Sequence, residues 1–216
     1  MSLDTKTVLE ALKQLREQSK DRKFSQSMEL IINLRDIDEK KPEGKIQESI
    51  ELPYAPTKKT KVCVIATGEL ALKAKKNGAD LVIGNEDLES LATDKKRQKQ
   101  LANNYSTFFA DVRLMPLVGK TLGSTLGPRG KMPKPLPPTA NIKEQMTRWG
   151  KTVDLRIRGQ PVLQCAIGTE DMQDQEIAAN TMAIVKRLEG RLKRGLKNIS
   201  TIYLKTTMSS PVKIKL

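Results

Sequence analysis

Val118-Gly119-Lys120-Thr121 matches the closing half of a phosphate-binding loop, in which backbone amides and a lysine hold the β and γ phosphates of a nucleotide. The match stops there, because that loop needs a glycine five residues before Gly119 and the position is Leu114. Gly130-Lys131 is followed by Met132 instead of Ser or Thr, and no GxGxxG follows a strand-like run. The chain has no histidine, which removes His general bases, His-activated nucleophiles and the imidazole ligands of most catalytic zinc sites. Its two cysteines, Cys63 and Cys165, each sit inside an apolar run and outside any CxxC pattern. They read as small core residues, with neither a disulfide nor a metal site. A nucleotide-dependent enzyme is therefore the runner-up reading, and a noncatalytic protein without cofactor or metal is the expectation.

Binding chemistry is better supported. The 216 residues carry 39 Lys plus Arg against 25 Asp plus Glu, a net charge of +14. A strongly basic chain suits nucleic acid, since each cation set against a phosphate releases condensed counterions. The excess is uneven: residues 1–60 carry 12 basic and 11 acidic side chains, 61–150 carry 15 and 8, and 151–216 carry 12 and 6. With three Phe, three Tyr and one Trp, no aromatic platform for stacking bases is in view. Recognition would have to use phosphates, 2′-hydroxyls, backbone amides and small polar side chains. No stretch approaches the roughly 18 apolar residues of a membrane span, and no apolar signal core follows Met1. A cytoplasmic protein is expected.

Residues 116–138 hold six of the 11 prolines and four of the 13 glycines. Within them, Arg129, Lys131 and Lys134 are spaced by Gly and Pro, a composition read as an extended basic loop lying along phosphates. A surface linker is the plainer alternative.

The elements that must position these groups follow from periodicity. Val8, Leu12 and Leu15 predict a helix over 3–19 with Asp4 as its cap. Strands are predicted at 27–34 and 46–52. From Lys61 strands and helices alternate: a buried parallel strand at 62–66, helix 69–76 stopped at Gly78, strand 81–83, helices 86–92 and 95–103, strand 107–110, and helix 115–126. Beyond Gly150 a hairpin is predicted from 153–158 and 162–167, then helix 171–193 and a closing strand 199–205. Neither end can bury a core alone. The fold class is therefore α/β (α+β) in two domains: a split α/β sandwich built by 1–60 plus 151–216, with helices on one mainly antiparallel sheet, and an inserted Rossmann-like, three-layer α/β domain over 61–150.

Leu126-Gly127-Pro128-Arg129-Gly130-Lys131-Met132-Pro133, Arg22-Lys23-Phe24-Ser25-Gln26-Ser27-Met28-Glu29-Leu30 and Tyr203-Leu204-Lys205-Thr206-Thr207-Met208 together resemble the ribosomal protein L-one family, the lateral-stalk proteins of the large subunit. Gly168-Thr169-Glu170-Asp171-Met172 is similar to its archaeal and eukaryotic branch. The resemblance spans essentially the whole chain and implies the same split and inserted domains. It further implies a protein of the cytoplasmic ribosome, monomeric away from it, whose first domain binds large-subunit rRNA. Transfer RNA in the exit site and the protein's own messenger, which it represses, are implied as further partners. Carried over by position, Lys23, Phe24, Ser25, Gln26 and Ser27 form one half of the site. Phe24 braces the strand entry, with plain core packing favoured for it over base contact, while Ser25, Gln26 and Ser27 hydrogen-bond RNA sugar and phosphate. Thr206, Thr207, Met208 and Ser209 form the other half. The family has Gly where Ser209 stands, which matters if that position needs a positive φ. For Lys45, Gln47 and Gln164, RNA contact and an exposed strand face are both open. Arg129, Lys131 and Lys134 are candidate secondary contacts. Lys186, Arg187, Arg191, Lys193, Arg194 and Lys197 form a basic helix end that the helix dipole already explains.

The charge excess makes one expectation measurable. Affinity for RNA should fall linearly with the logarithm of salt, with a slope of roughly −0.7 to −0.9 per neutralised phosphate. A titration from low to moderate salt checks it, and a flat response would make the +14 incidental.

Overall fold

The computed structural model describes residues 3–20, 22–37, 46–56, 61–137, 141–157 and 159–215. In chain order they form α1 (Thr5–Gln18), β1 (Ser27–Leu34), β2 (Gln47–Glu51), β3 (Val62–Ile65), α2 (Gly68–Lys76), β4 (Leu81–Ile83), α3 (Asn85–Thr93), α4 (Lys95–Asn104), β5 (Thr107–Asp111), α5 (Met115–Leu126), β6 (Lys134–Leu136), α6 (Ile142–Gly150), β7 (Thr152–Arg156), β8 (Val162–Thr169), α7 (Asp174–Arg191), β9 (Ile199–Thr206) and β10 (Val212–Ile214). The chain divides into two compact units, Met1–Lys58 with Gly150–Leu216, and Lys59–Trp149.

In the first unit β1 alternates half-buried and buried residues along its whole length, the period expected of a strand with one face on a core. Met28, Leu30, Ile32 and Leu34 point inward, and the antiparallel order β10-β9-β1-β8 sets Leu30 beside both Leu204 and Cys165. Val8, Leu12 and Leu15 of α1 and Ile177, Ile184, Val185 and Leu188 of α7 cover that face in one continuous cluster. Asp4 occupies the N-cap of α1, but its side chain makes no capping bond; the Thr7 hydroxyl donates to the Asp4 carbonyl instead.

Two expectations need correcting. The predicted hairpin does not form: β7 pairs with β2 and β8 pairs with β1, so the two lie in different sheets. The single sheet is accordingly a four-stranded sheet plus a β2–β7 ribbon, whose Ile50 and Leu155 still reach the shared core. Gly159 at φ 67 bends the chain between β7 and β8, yet β8 aligns with the alternating β1, Cys165 beside Leu30 and Leu163 beside Ile32.

In the second unit the sheet order is β4-β3-β5-β6, all parallel. Both faces are covered: Leu88, Leu91, Ala102, Val118 and Leu122 pack on one, and Leu70, Ala74 and Ile142 on the other. That arrangement buries every residue of β3, as a two-sided strand requires. β6 and α6 lie outside the predicted elements; the prolines around β6 argue against a strand. An edge position tolerates them. Val118-Gly119-Lys120-Thr121 lies inside α5, where its amides serve the helix ladder and cannot cradle a phosphate.

Asn180 of α7 is fully buried and holds the exit from β2 in place. Its Oδ1 accepts from the Tyr54 amide at 3.0 Å, and its Nδ2 donates to the Tyr54 carbonyl at 3.0 Å and the Ile167 carbonyl at 2.8 Å. Asn180→Ala should strip partners from these backbone groups and lower stability by about 2–4 kcal/mol. Urea unfolding followed by far-UV circular dichroism measures it.

Candidate nucleic-acid interface

The first-unit residues that the resemblance points to converge where β1 begins and β9 ends, since antiparallel pairing sets Met28 opposite Thr206. The turn after β8 completes the edge, with Ser27 opposite Thr169. Arg16 of α1 shapes that turn: its Nε donates to Asp174 at 2.6 Å, and its two terminal nitrogens donate to the carbonyls of Glu170 and Met172 at 2.9 and 2.7 Å.

Gln26 is the centre of the edge. It is 1% exposed, so its amide must be satisfied internally. Nε2 donates toward Glu170 Oε2 at 3.2 Å and toward Ser19 Oγ and the Lys20 carbonyl at 3.3 Å, while Oε1 accepts from the Met208 amide at 3.2 Å. Its backbone amide donates to Glu170 Oε1 at 2.8 Å and its carbonyl accepts from the Glu170 amide. The expectation that Gln26 hydrogen-bonds RNA is therefore corrected: its side chain is used inside the protein.

The remaining residues divide by what they leave exposed. Thr206 is buried, with its hydroxyl 3.4 Å from that of Ser19. Thr207 Oγ1 accepts from the Ser27 amide at 3.1 Å and contacts the Ser27 carbonyl only at 3.5 Å. Ser25 donates to Asp171. Phe24 is 51% exposed and Met208 57%, so core packing of Phe24 is overturned; two apolar side chains stand in solvent around a locked backbone. Lys23 is exposed. Ser209 does not adopt a positive φ, and its Oγ accepts from the Thr206 amide at 2.9 Å, a bond that glycine cannot make. Gln47 and Gln164 are exposed on their strands, and Lys45 lies outside the described residues.

The secondary candidates are structural to different degrees. Lys131 Nζ donates to the carbonyls of Ala102 and Tyr105 at 2.7 and 2.8 Å, closing the end of α4. Burial, with neighbouring Arg129, pushes its ammonium below the usual lysine range. Lys134 stands 3.2 Å from the Trp149 ring centroid in a cation–π contact. Arg129 donates to Asn103 and is otherwise exposed. The segment 126–135 is thus not an extended loop. Gly130 (φ 71) donates to the Gly127 carbonyl and Lys131 to the Leu126 carbonyl, the paired bonds of a Schellman cap on α5, and β6 follows. At the basic helix end, Arg187 and Arg191 pair with Glu48, and Arg194 with Asp36.

Sequence reasoning missed Arg16, Glu170 and Asp171 as positioning residues. For Glu170 and Asp171 the signal lies in the Gly168–Met172 motif; Arg16 carries none in its local sequence. A β-carbon at Gly168 would meet Met172 Sδ at 2.9 Å, so the motif shapes the turn that presents both acids.

This fold and these motifs define a ribosomal protein, not an enzyme: residues 15–210 match the ribosomal protein L1p/L10e family, and the chain belongs to it. It is 44% identical over 207 residues to the large ribosomal subunit protein uL1 of Methanothermobacter thermautotrophicus, covering 96% of this chain and 98% of that one. The uL1 of Methanocella arvoryzae is 45% identical over 209 residues (97% and 98% covered), and that of Hyperthermus butylicus 43% over 209 (97% and 96%).

Gln26→Leu keeps the volume but leaves the Met208 amide and Glu170 Oε2 without their side-chain partner. It should cost about 2–4 kcal/mol of stability, measured by chemical unfolding. A loss of RNA affinity with unchanged stability would instead make Gln26 a direct contact.

Proposed function

We propose that this chain binds large-subunit rRNA through the edge formed by residues 23–27 and 206–209, with Glu170 and Asp171 as its internal support. The observation that carries the reading is the exposure of Phe24 and Met208 on a backbone whose amides are already held by Gln26, Glu170 and Thr207. The backbone of such an edge loses little conformational freedom on binding, so only the ordering of the side chains offsets its contacts. Met208 fits an irregular groove because it is unbranched and polarizable. The Thr207 proton, held only by the 3.5 Å contact to Ser27, can turn to a ribose 2′-hydroxyl. Lys23 adds charge attraction.

Membership of the family supports assembly into the large subunit of the cytoplasmic ribosome. Assistance to transfer RNA leaving the exit site extends the same reading. So does repression of its own messenger, by an RNA segment that presents the rRNA shape to the same edge.

Met208→Ala and Phe24→Ala should each weaken binding to a large-subunit rRNA stalk fragment by about tenfold, equivalent to ~1.4 kcal/mol, with little effect on a scrambled RNA of equal length. Filter binding with both RNAs, on variants shown folded by thermal melts, measures it. Equal losses on the two RNAs would detach this edge from specific recognition.

A further inference from the structure

The inserted unit carries a cationic surface that the family edge does not use. Helix α4 reads Lys-Lys-Arg-Gln-Lys-Gln-Leu-Ala-Asn-Asn, with four cations and no acid. Gln98 and Ala102 are buried, and Lys95, Lys96, Arg97 and Lys99 are exposed. Among the described residues none of these four side chains makes an ion pair or hydrogen bond.

This arrangement works against the helix. Lys95 with Lys99 and Lys96 with Lys99 are like-charged neighbours one turn apart, a destabilising spacing. All four cations lie in the half of the helix where the dipole disfavours positive charge. Asp94, the nearest acid in sequence, is occupied: its Oδ1 accepts from the amides of Lys96 and Arg97, both at 3.0 Å. A merely solvated face would be served as well by alternating signs, so the repulsion calls for an external polyanion.

The stripe continues past the helix. Lys96, Lys99, Gln100 and Asn103 follow one face by their spacing of three and four residues, and Arg129 donates to Asn103. From Lys96 to Asn103 the axial rise is ~10 Å, about three successive charges of a nucleic-acid strand. Lys131, already committed to the carbonyls of Ala102 and of Tyr105 just past α4, fixes the far end.

We propose that the Lys96–Lys99–Arg129 stripe of the inserted unit is a second RNA-backbone contact, reading phosphates without regard to sequence. It rests on the proposed RNA function only for the class of its partner, and it moves the secondary contact of this unit from Lys131 and Lys134 to α4.

The test uses the full chain, a random-sequence RNA duplex and the large-subunit rRNA stalk fragment. Acetylation rates of individual lysines, read by mass spectrometry, should fall severalfold at Lys96 and Lys99 when either RNA is bound. Lys96→Gln with Lys99→Gln should make the salt dependence shallower by roughly 1.4 to 1.8 on both RNAs, and melts should show equal or higher stability because repulsion is relieved. Unchanged acetylation and unchanged slope would overturn the stripe. Equal protection by poly-glutamate would also overturn it, assigning the surface to acidic protein. If the lysines are protected while Met208→Ala loses nothing on the stalk fragment, the stripe stands and the edge reading fails.

Discussion

The Gln26 side chain joins three stretches of chain: the end of α1, the turn after β8, and the turn after β9, the last 182 residues away in sequence. The first is met through a hydroxyl and a carbonyl, the second through a carboxylate and the third through a backbone amide, and a buried side-chain amide offering both donors and an acceptor serves all three. Arg16 does the same for the carbonyls of the turn carrying Glu170. The edge is consequently a cross-linked polar network with apolar tips. Its hydrogen bonds lie largely inside the protein, and what it offers outward is shape, two apolar side chains and a little charge.

The same logic separates recognition from architecture in the inserted unit. Its most recognisable segment, residues 126–133, has the character of a phosphate loop in composition and of a helix terminus in structure. Gly130 supplies the left-handed residue that a Schellman cap needs, and Lys131 closes a second helix end through two carbonyls. A cation facing carbonyls at a helix C-terminus is favoured by the dipole, so this lysine is placed where the helix itself needs it. The cations of α4 sit where their helix is served worst. Direction relative to the dipole therefore distinguishes charges that build the fold from charges that stand ready for a partner.

The charge excess of the chain is divided accordingly. Arg187 and Arg191 share the half-buried Glu48 and draw α7 against the β2–β7 ribbon. Lys134 lies on Trp149, which itself meets Phe109 edge-on at 6.4 Å. These cations are structural, and composition alone counts them with the exposed ones.

Local pattern determined much of this protein. The short apolar-rich run at 27–34 predicted β1 to the residue, the apolar run at 62–66 marked a strand covered on both faces, and the alternation of strands and helices after Lys61 set the mixed α/β class. These features are legible because periodicity of burial is written directly into residue type. Tertiary structure decided the partners. Strand 162–169 passes over its neighbour in sequence to pair with β1, setting Cys165 beside Leu30 and Leu163 beside Ile32 on the buried face. Phe24 stands in solvent while Gln26 is buried, the reverse of what their polarity suggests, because Glu170, Ser19 and Met208 meet only in the folded chain. A buried amide costs little when distant partners complete it, and no window of sequence contains those partners.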